Sequence, residues 1–139
     1  MEKEADNLNL IDLLSSKYYK FKKMNEDLCT SSYKISLSNT EWSVINQIHG
    51  NQPTISEIVQ LLKITRQATH KCIKALNSKG ILTINNVVNN NKKKCLVLTP
   101  LGEQLYLDNI LLKEAIERDI AVQLGVDNMT LLISLLNKI

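Results

Sequence analysis

Residues that end regular structure are scarce in this chain. Its 139 residues include 4 Gly and 2 Pro, and the aromatic residues are 1 Trp, 4 Tyr and 1 Phe. So few breakers and aromatics favour long helices over a many-stranded sandwich. The length fits one domain with a real core, and 44% hydrophobic and 22% charged residues are ordinary for a soluble globular protein. The sequence therefore predicts a mainly α protein.

Charge is distributed unevenly. Between Glu57 and Glu103 the chain has no acidic residue. Its eight basic residues there are Lys63, Arg66, Lys71, Lys74, Lys79, Lys92, Lys93 and Lys94. This segregation suits a polyanion, because Lys and Arg displace counterions from phosphates and nearby carboxylates would oppose that. Charge alone leaves open a merely solvated basic surface.

Apolar residues at three- and four-residue steps predict long helices at both ends of the chain. The first runs from residue 7 to about 33 and, at ~40 Å, is too long for so small a domain to cover. The last begins at Thr99-Pro100 and breaks at Gly125, after which Asp127 is predicted to cap a short apolar helix. Both ends are expected to pack against a second chain.

Three short helices are predicted between the long ones. Ser38 with Glu41, and Thr54 with Glu57, have the spacing of capping boxes. Thr65 is predicted to cap the third helix, which follows the second after a tight turn. Two short helices joined in this way are the outline of a helix-turn-helix.

The third helix has two different faces. Its core-facing positions are Thr69, Cys72, Ile73 and Leu76. Its other face carries Arg66, Gln67, His70, Lys71 and Lys74. Arg suits guanine edges, Gln suits adenine edges, and Lys suits phosphates or guanine. In isolation, an ordinary amphipathic helix with a solvated face is the alternative.

A β-hairpin is predicted directly after this helix. Residues 81–84 and 95–98 read as strands, and residues 85–94 as a loop that ends in Lys92, Lys93 and Lys94. A hairpin with cations at its tip that follows a recognition helix is a winged helix. Its wing is expected to lie along a groove or phosphate wall.

The stretch from Leu37 to Glu103 resembles the multiple-antibiotic-resistance regulator (MarR) family of winged-helix transcription factors. The matching pieces are LSNTEW, SEIVQLLKITRQATHKCIKALNSKGIL and LTPLG, and the flanking helices extend the resemblance over nearly the whole chain. The resemblance implies a mainly α fold with a small β-hairpin wing. It places a winged helix-turn-helix at 37–99, flanked by long dimerisation helices in 1–36 and 100–139.

The resemblance also implies particular DNA contacts. The recognition helix, with Thr65 at its start, would face DNA with the five polar residues named above, and Ser56 would meet a phosphate. In the wing the family's Asp-x-Arg pair is replaced by Asn90 and Lys92, and a further arginine by Ile84. The three wing lysines are therefore expected to attract phosphates independently of base sequence.

Other chemistry finds little support in the sequence. His49 and His70 have no nucleophile, HExxH or phosphate-loop pattern around them, so neither an enzyme nor a metal or other cofactor is predicted. The cysteines, Cys29, Cys72 and Cys95, are predicted to be reduced and mostly buried. A regulator that senses redox state through a cysteine is a less favoured alternative.

The expected function is that of a sequence-specific, double-stranded DNA-binding transcriptional regulator, a repressor acting as a homodimer on a pseudo-palindromic operator. The family's usual switch is a small aromatic or lipophilic effector, for which Tyr18, Tyr19, Tyr33 and His49 are candidate contacts or simply core residues. The alternative is a winged helix used for protein interaction or nonspecific nucleic-acid binding. No apolar run approaches the ~18 residues of a membrane span, and the N-terminus lacks a secretory signal, so a cytoplasmic location without membrane contact is expected.

Overall fold

A computed structural model describes residues 8–139, without the side chains of residues 28–30 and 91. Helices and an antiparallel hairpin follow one another in the order predicted. Their bounds are α1 Leu10–Tyr33, α2 Asn39–Ile48, α3 Ile55–Leu62, α4 Arg66–Ser78, β1 Leu82–Val87, β2 Asn90–Leu98, α5 Pro100–Leu124 and α6 Val126–Leu136. The predicted fold class, a mainly α winged helix-turn-helix, is confirmed.

The chain forms two compact units. One comprises residues 26–108 and holds α2, α3, α4 and the hairpin. The other combines residues up to Asn25 with residues 109–139. The unit of residues 26–108 contains all the residues that were predicted from the sequence to contact DNA.

Side-chain caps begin the short helices at the predicted residues. The Ser38 hydroxyl accepts a hydrogen bond from the Glu41 N–H at 3.1 Å, and the Glu41 carboxylate accepts one from the Ser38 N–H at 3.2 Å. Thr54 caps α3, and the Thr65 hydroxyl accepts from the Ala68 N–H at 3.0 Å. Each cap satisfies a backbone donor that a helix start leaves unpaired.

One apolar core joins the helices of this unit to the hairpin. The side chains with less than 2% exposure include Ile45, Ile48, Ile58, Ile73, Leu76, Ile81, Leu82, Leu96 and Leu105. They come from α2, α3, α4, both strands and the start of α5, so a single cluster fixes how α4 is presented. Burial of each such side chain contributes about 1.5–3 kcal/mol.

The hairpin is longer than predicted. The expected loop over residues 85–94 is wrong, because pairing continues to Val87↔Asn90 and only two residues form the turn. Asn89 adopts a left-handed conformation with φ 64°, which lets the chain reverse there. The base of the hairpin is tied to the segment before α3, where the Leu96 N–H donates to the Pro53 carbonyl at 2.8 Å.

The LTPLG motif connects the hairpin to α5. The Thr99 hydroxyl donates to the Gly80 carbonyl at 2.6 Å, and the Gly102 N–H lies 3.1 Å from the same hydroxyl oxygen. A Cβ on Gly102 would lie 2.2 Å from the Ile81 carbonyl oxygen. Glycine is therefore required at this position by close backbone approach.

The second unit has a polar anchor and an exposed apolar helix. Asn109, 3% exposed, donates from its side-chain amide to the Asn25 side-chain oxygen at 2.5 Å.

Gly125, not Asp127, is the N-cap of α6. The predicted Asp127 cap is wrong because this residue lies within the first turn. None of the 11 residues of α6 is buried. Its large exposed apolar residues are Val126, Leu131, Leu132, Ile133, Leu135 and Leu136.

Within residues 8–139, no single helix has the length and apolar composition needed to cross a membrane. By those two criteria alone α5 and α6 qualify as a pair, with a bend of 115° at the break between them.

Candidate nucleic-acid interface

The outer face of α4 is a continuous polar surface. The side chains predicted for the core, Thr69, Cys72, Ile73 and Leu76, are buried. The side chains predicted to face DNA, Arg66, Gln67, His70, Lys71 and Lys74, are all exposed. The 3.6-residue period of the helix separates the two sets, because the core cluster takes up the apolar face.

The beginning of α4 is favourable for an anion. Its first turn contains no acidic residue, and Arg66 is its first residue. The Thr69 hydroxyl donates to the Thr65 carbonyl at 3.0 Å, which fixes the cap from the buried side. Unpaired N–H groups and the helix dipole both favour negative charge at such an end. Thr65 is exposed there, as its predicted role requires.

Ser56 lies in the first turn of α3 and is exposed. The neighbouring residue, Glu57, is also exposed and carries a negative charge. A phosphate at Ser56 would gain a hydroxyl and backbone donors but would be opposed by that carboxylate. The contact of Ser56 with a phosphate stays a prediction.

The wing carries Lys92 and Lys93 on a bulge of β2. Asn86 pairs with Lys94 and the next residue, Val87, pairs with Asn90, so residues 91–93 have no partner in β1. Lys92 and Lys93 belong to this bulge and are exposed. Extra residues in one strand bend it and push it outward, which presents these cations beyond the hairpin ladder.

Asn90 and Lys94 stabilise the bulge from both of its ends. The Asn90 side-chain oxygen accepts a hydrogen bond from the backbone N–H of Lys92 at 3.1 Å. The Lys94 ammonium donates to the side-chain oxygen of Asn86. Asn90 therefore holds the main chain at Lys92. Sequence reasoning treated Asn90 only as a lost acid, although Asn commonly bonds to the backbone two residues on.

Among the described residues, Lys79 is the member of the eight basic residues that forms an ion pair within the protein. The Lys79 ammonium lies 2.7 Å from the Glu41 carboxylate and donates to the Ser36 carbonyl at 2.8 Å. Lys79 is thus a structural residue that ties the end of α4 to the beginning of α2. Its exclusion leaves the basic surface concentrated on the start of α4 and on the wing.

The candidate effector residues have different surroundings. His49 stacks on Tyr106 with ring centroids 3.6 Å apart, and its Nδ1 lies 2.8 Å from a carboxylate oxygen of Glu103. The Tyr33 hydroxyl donates to Asp108. Tyr18 and Tyr19 belong to the other compact unit and have exposed rings. An effector site involving these four residues stays a proposal.

The polar partners of His49 and Tyr33 lie on α5, and sequence reasoning did not find them. Glu103 and Tyr106 are three residues apart and therefore share one face of the helix. This spacing is the sequence pattern that could have indicated a shared contact. Nothing local in the sequence indicated that this face meets the end of α2. The contact is therefore a result of the fold.

The described thiols are unsuited to reactivity. Cys72 and Cys95 are free and buried. Burial, followed by the nearby Glu41 carboxylate, raises the pKa of Cys72 to about 11. The Cys29 side chain lies outside the described residues. Where side chains are described, no three of His, Cys, Asp and Glu come together as a metal site would require.

Comparisons by sequence identify relatives over two different spans. A family model described as the DnaD N-terminal domain matches residues 15–118. A protein of Staphylococcus aureus (strain Mu50) named as an uncharacterized HTH-type transcriptional regulator is 33% identical over 67 residues, which are 48% of this chain and 46% of that protein. The chain thus spans about half the length of the curated relatives it matches.

Solved structures match over nearly the whole chain. Wild-type MarR from Escherichia coli superposes with a TM-score of 0.70 at 17% identity and covers 94% of this chain and 96% of its own. BpsR from Bordetella bronchiseptica gives a TM-score of 0.68 at 16% identity, with coverage of 99% and 96%. At such identities the likeness shows the fold. It confirms the predicted resemblance to MarR at that level.

The two kinds of comparison name different families. The match to the family model extends over more than half of the sequence, whereas the structural likeness rests on shape. Membership of a family therefore rests on the sequence match, and the assignment of the fold rests on the solved structures. The chain belongs to the family of the DnaD N-terminal domain and has the winged-helix fold that it shares with MarR.

Proposed function

We propose that this protein is a sequence-specific regulator of transcription that binds double-stranded DNA through α4 and the wing. One observation carries the proposal: α4 exposes five donor-bearing side chains without an acid among them, next to a hairpin whose bulge presents lysines. Arg66, Gln67 and His70 would contact base edges. Lys71, Lys74 and the wing lysines would contact phosphates.

The names of similar proteins support this proposal. The matched S. aureus relative is named as a transcriptional regulator of the HTH type. For BpsR, DNA binding is described as regulated by 6-hydroxynicotinic acid. From both statements we propose that this chain is a repressor and that a small aromatic or lipophilic effector releases it from DNA. We further propose that it acts in the cytoplasm.

The exposed apolar residues of the second unit support a homodimer. The side chains of Leu10, Ile11 and Leu14 on α1 are exposed, as are those of α6. Apolar surface of this extent is costly in water, and a second copy of the chain would cover it. Two recognition helices about 34 Å apart would then read a pseudo-palindromic operator.

The proposal is tested by measuring how tightly the purified protein binds its own upstream DNA and scrambled DNA of equal length, across a salt series. A preference of ~10³ or more for the upstream fragment supports a specific regulator. If the operator does not lie upstream of the protein's own gene, genome-wide capture of bound DNA fragments would find it. Failure to enrich any shared sequence in that experiment would overturn the proposal.

A nonspecific nucleic-acid-binding module is the second candidate, favoured by the lysines on the wing bulge. Such a module needs Lys92 and Lys93 but not the base-reading residues Arg66, Gln67 and His70. Equal, steeply salt-dependent binding to all fragments would select this alternative.

A further inference from the structure

The outer edge of β1 is an open strand edge. Within the described residues the sheet has two strands, so β1 is paired with β2 on one side only. The other edge of β2 is closed at its base by the segment 53–54, with which Cys95 and Leu96 pair. From Thr83 to Asn86 the residues of β1 are exposed, so this edge faces solvent.

Main-chain donors and acceptors point outwards along this edge. Ile84 and Leu96 lie opposite each other, but the Leu96 N–H donates away from β1, to the Pro53 carbonyl at 2.8 Å. In an antiparallel ladder both residues of such a pair direct their main-chain groups away from each other. The N–H and C=O of Ile84 therefore point to the open edge. Those of Asn86, two residues further along the strand, do so as well.

β1 lacks the features by which proteins usually protect an open edge. Such edges commonly carry lysine, proline or a bulge, or are covered by another segment. The strand reads Leu-Thr-Ile-Asn-Asn-Val, without a charge or a proline, and the bulge with Lys92 and Lys93 belongs to β2. An edge of this kind is a template to which an extended segment can add as a further strand.

The cations beside the edge indicate the charge of the partner. Lys94 lies opposite Asn86, and its ammonium reaches across to β1 to donate to the Asn86 side-chain oxygen. The chain has no acidic residue between Glu57 and Glu103 that would neutralise the wing. A second copy of the wing would bring the same cations and be repelled, whereas an acidic segment would be attracted.

We propose that β1 binds an extended acidic segment of another protein, which adds a third strand to the wing. Ile84 and Asn86 are two residues apart and face the same side of the sheet, where Ile84 is 39% exposed. The bound segment places an apolar residue beside Ile84 and an acidic residue beside Asn86, next to the Lys94 ammonium. Main-chain hydrogen bonds supply affinity, and these two side chains supply specificity. This inference does not depend on the proposed DNA binding.

Amide hydrogen exchange, followed by NMR, tests the proposal. The probe is a short synthetic peptide in which threonine alternates with glutamate and valine in turn, and a matched peptide has lysine in place of glutamate. At millimolar concentration the glutamate peptide should slow exchange at the N–H groups of Ile84 and Asn86 by ~5-fold or more, because these donors become paired. The N–H groups of Thr83 and Asn85 already point to β2 and should change less. The lysine peptide should leave all four unchanged.

Variants of the edge connect this protection to the added strand. Ile84→Pro removes an outward N–H but no bond to β2, since proline is tolerated at an edge where its nitrogen faces solvent. It should abolish protection of the Asn86 N–H, whereas Ile84→Val should keep it. Lys94→Glu should reverse the preference, so that the lysine peptide binds more tightly.

Three results would overturn this inference. They are exchange at Ile84 and Asn86 that the glutamate peptide does not slow, equal protection by both peptides, and undiminished protection of Asn86 in Ile84→Pro. None of them bears on the regulator function, which the DNA-binding measurements test separately.

Discussion

The Lys79 ammonium lies 2.7 Å from a carboxylate oxygen of Glu41, across 38 positions of sequence. Glu41 is 8% exposed, and its other oxygen completes the capping box of α2. One side chain thus serves both the start of α2 and the end of α4. The orientation of α4 depends on this pair as well as on the apolar core.

Replacement of Lys79 by methionine should destabilise the protein by about 1–3 kcal/mol, because Glu41 would be left buried without its cation. The free energy of unfolding in urea measures the effect. Lys71→Met on the exposed face of the same helix is the matched control and should stay within about 0.5 kcal/mol of wild type. Equal stability of the two variants would contradict the structural role of the pair.

Gly102→Ala should destabilise more than Gly80→Ala. The added methyl at position 102 meets the Ile81 carbonyl oxygen at 2.2 Å, so backbone must move, at a cost of about 2–4 kcal/mol. At Gly80 nothing lies within 4 Å, and only its φ of 76° is unfavourable for alanine, at about 1 kcal/mol. Thermal unfolding of both variants tests the ranking, which a reversed order would refute.

Arg66→Ala should cost about 1–3 kcal/mol of binding energy on the cognate DNA site and much less on random DNA. Lys74→Ala, on the same exposed face, should weaken both by similar factors, because a phosphate contact does not depend on base sequence. Fluorescence anisotropy with the two DNA fragments measures the four affinities. Equal losses on both fragments for Arg66→Ala would exclude its role in base recognition.

Simultaneous replacement of Lys92 and Lys93 by alanine should weaken binding to every sequence. The slope of log affinity against log salt should become shallower by about 2, one for each lost phosphate contact. Lys94→Ala should change the slope less, since the Lys94 ammonium already donates to Asn86. If the slope of the double variant equals that of wild type, the bulge does not contact phosphate.

Cys72 should make the protein less stable at high pH. Its pKa rises from 9.0 to about 11 on folding, so the folded state keeps a proton that the unfolded state releases. The contribution of the neutral thiol is complete below pH 9 and is lost as the pH rises towards 11, about 2 kcal/mol in total. Urea unfolding at pH 8 and pH 10.5 should show a smaller decrease for Cys72→Ala than for wild type. A decrease of equal size would exclude the thiol as its cause.

The predictable parts of this fold have local causes. Ser38, Thr54 and Thr65 were identified as caps because capping depends on residues three apart, and the two faces of α4 follow from helical spacing. The length of the hairpin strands was underestimated because the alternation of apolar residues stops after Ile84. The strand pairing continues beyond it through asparagines, which have a low preference for strands.

The missed contacts depend on the fold rather than on spacing. The His49–Tyr106 stack and the Lys79–Glu41 pair join residues of different helices. No periodicity in either helix indicates the partner. The bond from Asn90 to the Lys92 backbone was the exception, since an asparagine two residues before its donor is a recognisable local pattern.

The three unpaired residues of β2 separate two properties of the wing that are linked in a regular hairpin. Leu82↔Leu98 and Ile84↔Leu96 fix the register against the core, whereas residues 91–93 lie outside that register. Insertions or deletions within this short stretch would lengthen or shorten the cationic arm without moving one core side chain to the wrong face. Evolution can therefore adjust the reach of the wing while the packing beneath it stays constant.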